Sequence, residues 1–404
     1  MSEARLDQVD GSKGSALEVL GAFLKLGLMA FGGPIAHLGY FRQEFVARRR
    51  WLDEAAYADV VALCQFLPGP ASSQVGFTIG LMRAGALGAL AAWVGFTLPS
   101  AVLMTAFAFG AGAMKGPLAD GLIHGLKLVA VAVVAQAVFG MAKTLTPDAK
   151  RAAIAVGAAV LVTVAPATVG QVGAIALGVP AGVILCREAG DPSPGADLLK
   201  VPRRVGVAAL AILLLFLIGG PILETATGDP TLARFDAFYR SGALVFGGGH
   251  VVLPLLKSAV VDPGWISQDS FLAGYGAAQA LPGPLFTFAA YLGAVMRQPP
   301  NGVAGAALGL AALFLPGLLA LVAALPFWGR LRTRPVAQAA MRGANAAVVG
   351  ILATALYSPV WTSAVLGRAD FAAALVGFVL LTSFKTPPLL VVLLCAGFGI
   401  LSAI

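Results

Sequence analysis

The sequence predicts an all-α polytopic membrane protein made of two homologous halves, and three observations predict it. Hydrophobic residues fill 59% of the 404 positions and charged residues 11%, with a mean hydropathy of +0.88, more apolar surface than a soluble fold can hide. Pro68-Gly69-Pro70 interrupts an apolar run over 55–81, and the same tripeptide returns as Pro282-Gly283-Pro284 inside a second run. The landmarks around the two copies recur in one order. Each proline ring removes a backbone donor and clashes with the turn before it, while glycine tolerates the angles that result. In hydrocarbon such a break survives only where protein or a water-filled cavity satisfies the freed groups. Two breaks in matching positions point to a transporter's binding site.

Residues 1–15 mix Glu3, Arg5, Asp7, Asp10 and Lys13 with no signal-peptide pattern, so a cytoplasmic N-terminus is expected. The first membrane repeat is expected over 16–187. It opens with an apolar run over 16–45 that carries Lys25 and is interrupted at Gly32-Gly33-Pro34. The basic segment Arg48-Arg49-Arg50-Trp51 follows, with Trp51 suited to a headgroup anchor. Beyond the break at 68–70, the segments 84–112, 121–142, 152–166 and 168–185 read as membrane helices. A polar linker occupies 188–204, and 205–223 is a spanning helix with no partner in the first half. The second repeat, over 235–404, restarts the pattern with 236–261, 271–296, 302–328, 336–357, 371–384 and 389–404. Small residues such as Gly302, Gly305 and Gly309 let helices pack backbone to backbone in lipid. Cys64, Cys186 and Cys395 are isolated in apolar surroundings and read as core residues, not disulfides or metal ligands.

Laid on one another, the halves match at Gly27 and Gly242, at Phe31-Gly32-Gly33 and Phe246-Gly247-Gly248, and at Trp51 and Trp265. Gln65 matches Gln279 ahead of the Pro-Gly-Pro motifs, Leu98-Pro99 matches Leu315-Pro316, and Gly125 matches Gly343. Charges follow in part: Lys25 aligns with Arg240, Arg42 with Lys257, His124 with Arg342 and Lys127 with Asn345. Arg48, Arg49 and Arg50 have no basic counterparts. A single unpaired helix between two copies inverts the second one. The net charge of +8 belongs mostly to loops and reads as membrane topology, not nucleic-acid binding. If every segment spans, the three arginines fall on the less basic side. If the Gly-Gly and Pro-Gly-Pro segments are re-entrant hairpins, those arginines are cytoplasmic while Arg234, Lys257 and Arg297 lie outside. The hairpin arrangement is the expected one.

A helix restarting after a break offers unpaired N–H groups and the positive end of its dipole, which suits an anion. After Pro70 these come with Ser72, Ser73 and Gln74; after Pro284 the hydroxyl is Thr287 alone. Backbone donors, hydroxyls and a nearby cation suit a tetrahedral oxyanion. Lys25 and Arg240 lie in apolar stretches where a charge costs at least ~2.5 kcal/mol, so they are candidate cations for its path, or else they snorkel to an interface. Glu44 and Asp59 are the candidate proton-coupling carboxylates, with pairing to neighbouring arginines as the alternative. His37 and His250 read as satisfied interior side chains, the alternative being a proton relay. No HExxH or GxSxG motif or metal-ligand cluster supports an embedded enzyme, and no cofactor is implied. A passive channel remains the closest alternative.

Gly32-Gly33, Arg49-Arg50-Trp51-Leu52, Gln65, Pro68-Gly69-Pro70 and Gln74 together resemble the signature of the chromate ion transporter family, and the resemblance covers almost the whole chain in its long, two-domain form. It implies a multi-pass protein of the bacterial cytoplasmic membrane that expels chromate and confers resistance. It also implies sulfate as the expected competitor and proton coupling as the expected drive. The resemblance points to Gly32, Gly33, Gln65, Pro68, Gly69, Pro70 and Gln74, and with Lys25, Ser72 and Ser73 read from their own positions, and Arg240, Gln279, Gly283 and Thr287 from the second half, these make the expected substrate-binding set. The second half departs from the motif at Gly249-His250 and Phe288, so the first half is the expected bearer of function. Sulfate or another oxyanion is the alternative substrate, and a homodimer is left open.

Overall fold

In the computed structural model, residues 14–113, 116–165, 167–187 and 201–403 are described, and among them there are helices and no strand. The expected N-terminal segment and polar linker lie mostly outside them. Helix α1 (Ala16–Met29) begins on Ser15, whose hydroxyl accepts the Glu18 N–H. Its 14 residues are too short to cross a bilayer core. The chain turns at Gly32 and Gly33, both with positive φ, and returns as α2 (Gly33–Phe41), continued by a π-helical turn, Arg42–Arg48. The two ends meet: Glu18 lies 3.9 Å from Arg49.

A second hairpin follows. α3 (Glu54–Phe66) is capped by Asp53, runs inward to the Pro-Gly-Pro break, and α4 (Ala71–Ala113) carries the chain out again. At Ala84 and Gly85 the backbone leaves helical angles and α4 doubles back on itself. Arg83, just before that bend, pairs with Glu18 at 3.3 Å and lies over the Trp51 ring at 5.1 Å. Both hairpins therefore keep their feet on one face, around Trp51. Trp51 is not an exposed headgroup anchor: it is 8% exposed, stacked on Phe45 and flanked by the Arg49 and Arg83 guanidiniums. A planar cation covers the ring better than lipid does.

The long leg of α4 crosses the molecule to Phe109, which faces Gly302. The chain returns through α5 (Pro117–Leu145), α6 (Ala149–Val164) and α7 (Ala167–Leu185). The unpaired helix α8 (Arg203–Thr227) then crosses alone, its exposed side lined by Leu210, Leu215, Ile218 and Ile222. α9 (Pro230–Ala243) and α10 (Val252–Leu256) form the third hairpin, and α11 (Gln268–Ala278) with α12 (Phe288–Ala294) the fourth. Their feet gather around Trp265: the Arg234 guanidinium lies 5.8 Å from its ring, and the Arg297 N–H donates to its carbonyl.

From there α13 (Gly302–Ala324) crosses back to α14 (Trp328–Leu331), where the Trp328 indole donates to Asp59 of α3 at 3.0 Å. α4 and α13 thus run in opposite directions between the two sets of feet, so the second half is inverted and the hairpins enter from opposite faces. α15 (Pro335–Ala355), α16 (Thr362–Ala364), α17 (Arg368–Thr382) and α18 (Pro388–Ser402) complete the chain. The halves exchange partners in the outer bundle. Gly121 and Gly125 of α5 lie against Gly399 and Cys395 of α18, while Gly343 of α15 lies against Gly178 and Gly182 of α7. Among the described residues, five helices are long and apolar enough to cross a membrane.

Candidate functional site where the breaks meet

The hairpin tips of one half touch those of the other. The Gly69 N–H donates to the Val245 carbonyl at 2.7 Å, and its counterpart Gly283 donates to the Ala30 carbonyl at 2.9 Å. Ala30 and Val245 each stand one residue before a Phe-Gly-Gly sequence, so one contact is made twice. Glycine is required at both donors. Their φ values are +115° and +93°, a region side chains avoid. A Cβ on Gly69 would stand 2.8 Å from the Gly317 Cα, and one on Gly283 would stand 3.0 Å from the Ser100 Cβ. Gly69 was expected to face a ligand; its N–H and its open side are instead used in joining the halves.

The side chains after the two breaks behave differently. Ser72, Ser73 and Gln74 are all buried at the start of α4. The Gln74 Nε2 donates to the carbonyls of Pro68 at 2.9 Å and Gly317 at 2.8 Å, clamping the break onto α13. His37 donates from Nε2 to the Ala30 carbonyl at 3.2 Å, because a carbonyl can only accept; its Nδ1 then accepts the Ser72 hydroxyl at 3.3 Å. His37 is thus a satisfied interior side chain that links three tips. Among the described residues, Ser73 Oγ and Gln74 Oε1 have no hydrogen-bond partner, nor does Gln279 Nε2. Thr287, by contrast, donates to the Pro284 carbonyl and shares a 2.7 Å bond with Ser100. Its hydroxyl is already committed.

The remaining candidates separate. Arg240 lies 3.7 Å from Asp236 and lines a cavity of about 120 Å³ together with Gln171, Ser241, Leu244 and Ser258. Leu244, in its wall, is the residue before Val245 of the junction. Lys25 is exposed on the outer side of α1 beside Leu24, Leu28 and Met29, away from the tips, as a snorkelling residue would be. Gln65 is exposed on α3. Glu44 is held by Arg48 and by Arg49, the latter at 2.7 Å, and Asp59 by Arg332 at 2.8 Å and by Trp328. Asp59 therefore pairs across the halves and not with the neighbouring arginines. Pro68 and Pro70 close the break itself, and Arg50 is exposed at the foot.

The chromate transporter family model matches the chain twice, over residues 17–185 and 232–400, and each match contains one Pro-Gly-Pro break. The chain belongs to the chromate transporter family. Within that family it is 28% identical to the probable chromate transport protein of Synechococcus elongatus over 391 residues, covering 94% of this chain and 93% of the relative. It is 28% identical to the chromate transport protein of Pseudomonas aeruginosa, covering 83% of this chain and 79% of the relative. The figures for the chromate transport protein of Cupriavidus metallidurans are 27%, 83% and 80%. No solved structure matches. Membership in a transporter family, together with the apolar helices, makes this a multi-pass membrane transport protein and not an enzyme. Sequence reasoning missed Ser100 and Gly317 as seats for the chromate transporter's two breaks. The signal was present, since each follows the paired Leu-Pro landmark by one residue.

Proposed function

We propose that this protein is a carrier that exports chromate from the cytoplasm across a bacterial cytoplasmic membrane, driven by the proton gradient and conferring chromate resistance. The observation that carries the reading is the junction itself. Among the described residues it leaves Ser73 Oγ and Gln74 Oε1 buried without partners where α4 restarts, and Gln279 Nε2 likewise ahead of the second break, while Arg240 lines a cavity whose wall includes Leu244, the residue before Val245. Unpartnered buried polar groups are costly and are retained where a ligand completes them. The first-turn N–H groups of Ala71, Ser72 and Ser73 supply donors, and Arg240 supplies charge from that cavity. The oxygens of a tetrahedral dianion use donors arriving from several directions. Sulfate shares that shape and charge and is the expected competitor. The feet bearing Arg48, Arg49 and Arg50 face the cytoplasm in this reading, following positive-inside orientation. A passive channel is the second reading, favoured by the exposed position of Gln65 near the break.

Uptake of chromate into everted membrane vesicles tests the proposal. Uptake that needs the proton gradient and falls with added sulfate is expected. Gradient-independent uptake would favour the channel, and uptake of sulfate with no effect of chromate would overturn the substrate.

A further inference from the structure

The two halves are alike in backbone, yet their hairpins join different cores. Second-half residues such as Val252, Phe271 and Tyr275 share one buried cluster with Leu126, Val129 and Val133 of the outer-bundle helix α5. The first-half hairpins form a separate cluster around Phe23, Phe45, Trp51 and Leu63, closed by Leu321, Leu325 and Trp328 from the α13–α14 region. The difference is concentrated at one seam. On the Trp265 face, Gly276 of α11 lies directly against the Leu126 carbonyl of α5, and Lys127 reaches Asp269 at 2.9 Å. The equivalent residues on the Trp51 face are Ala62 and Ala55 of α3, and Ala344 and Asn345 of α15. Among the described residues, α3 does not pack on α15 as α11 packs on α5. Ala55, Ala58, Ala62 and Gln65 form one exposed stripe on α3, and Asn345 Oδ1 is buried without a partner among the described residues.

We propose that the Lys127–Asp269 pair latches a gate on the Trp265 face, and that this seam opens as α3 closes onto α15 on the Trp51 face. The inference deepens the carrier reading above and rests on it. An inverted repeat makes the exchange nearly symmetric, because each seam in its closed form is the other's image. The latch suits a contact that is broken in every cycle. Asp269 is 66% exposed in its side chain, and such a pair holds weakly. The small side chains on α3 allow the same close approach that Gly276 makes on α11. Lys127 and Asp269 act here through helix position and do not touch the ion.

Disulfide trapping tests this in the full-length protein, in membrane vesicles, with the three native cysteines replaced by alanine. A Cβ on Gly276 would lie 3.1 Å from the Leu126 Cβ, so the image pair Ala62→Cys and Ala344→Cys is within disulfide reach only when the α3 seam is closed. Asp269→Asn should raise the crosslinked fraction at least threefold. The charge-swapped pair Lys127→Asp with Asp269→Lys should return it to the starting level, which loss of local packing would not do. The crosslinked protein should lose transport and regain it on reduction. A crosslinked fraction indifferent to Asp269→Asn, a bond formed between two chains, or full transport by the crosslinked protein would each overturn the gate. Crosslinking is read on a gel, so a protein that moves no chromate yet shows the Asp269-dependent crosslink upholds the gate and sinks the substrate reading.

Discussion

After Pro70 the chain supplies Ser72, Ser73 and Gln74, and after Pro284 it supplies Leu285, Phe286 and Thr287. Both breaks seat a glycine against the opposite half through the same backbone bond. They differ in what is left over. In the second half the lone hydroxyl is consumed by Pro284 and Ser100, and the position facing Gln74 in the alignment is the wholly buried Phe288. In the first half two polar atoms are buried and unspent. The duplication kept the joint in both copies, while the polar first turn after the break is found in one. Symmetry here belongs to the backbone, where a mismatch would leave N–H and C=O groups stranded in hydrocarbon.

That contrast can be broken most sharply at the glycines. Gly69→Ala forces a side chain into a positive-φ position and against the backbone of Gly317, which has no rotamer with which to yield. Transport should disappear while the protein still reaches the membrane. Gly283→Ala carries the same positive-φ strain but meets its neighbours less closely, the Ser100 Cβ at 3.0 Å and the Phe96 carbonyl at 3.3 Å, and should retain part of the activity. Vesicle uptake normalised to membrane level reads both, and a greater loss at Gly283 would reverse the assignment of the working half.

The next effect is expected at the aligned cations. Arg240→Gln should cut uptake by about tenfold, as expected when a charged donor is lost. Arg240→Lys should keep part of it if charge matters more than the guanidinium fork. Lys25→Gln, on the outer side of α1, should stay within roughly twofold of the parent. Equal losses at the two positions would restore Lys25 to the ion path.

Smallest in rate, but most specific, is the comparison of hydroxyls. Ser73→Ala should raise the half-saturating chromate concentration by about tenfold with little change in maximal rate, since a hydrogen bond to a charged partner is worth roughly 1.5–3 kcal/mol. Thr287→Val should instead lower the amount of folded protein and leave half-saturation unchanged, because its hydroxyl holds Pro284 to Ser100. An unchanged half-saturation in Ser73→Ala would remove that hydroxyl from the site.

Much of the fold was legible in the sequence because its signals are local. A Pro-Gly-Pro inside an apolar run declares a break, and a short run on each side of it declares a hairpin. The repeat, the unpaired helix and the re-entrant arrangement followed from spacing and charge. Partners chosen across the chain were not legible. Asp59 has three arginines nearby in sequence and pairs with Arg332, which only the crossing of α13 delivers. Trp51 reads as an interfacial anchor until Arg83 is folded over it. Lys25 and Arg240 align residue for residue, yet one faces outward and the other a cavity. The unequal docking of α3 and α11 was legible only as a difference in residue type, Asp269 and Lys127 against Ala55 and Asn345, and not as a contact.

The exchanged partners in the outer bundle bear on how the chain is made. His124 of α5 bonds Asp370 of α17, 246 positions later, and the glycines of α5 lie against α18, the last helix described. At about 5–20 residues per second, α5 waits on the order of 10–50 s between its synthesis and the arrival of these partners. Through that interval its glycine faces stand open to lipid or to an insertion chaperone, and α7 waits likewise for α15. The first half cannot be a finished domain on leaving the ribosome, and a stop codon ahead of α18 would leave two seams unfilled rather than one terminus frayed.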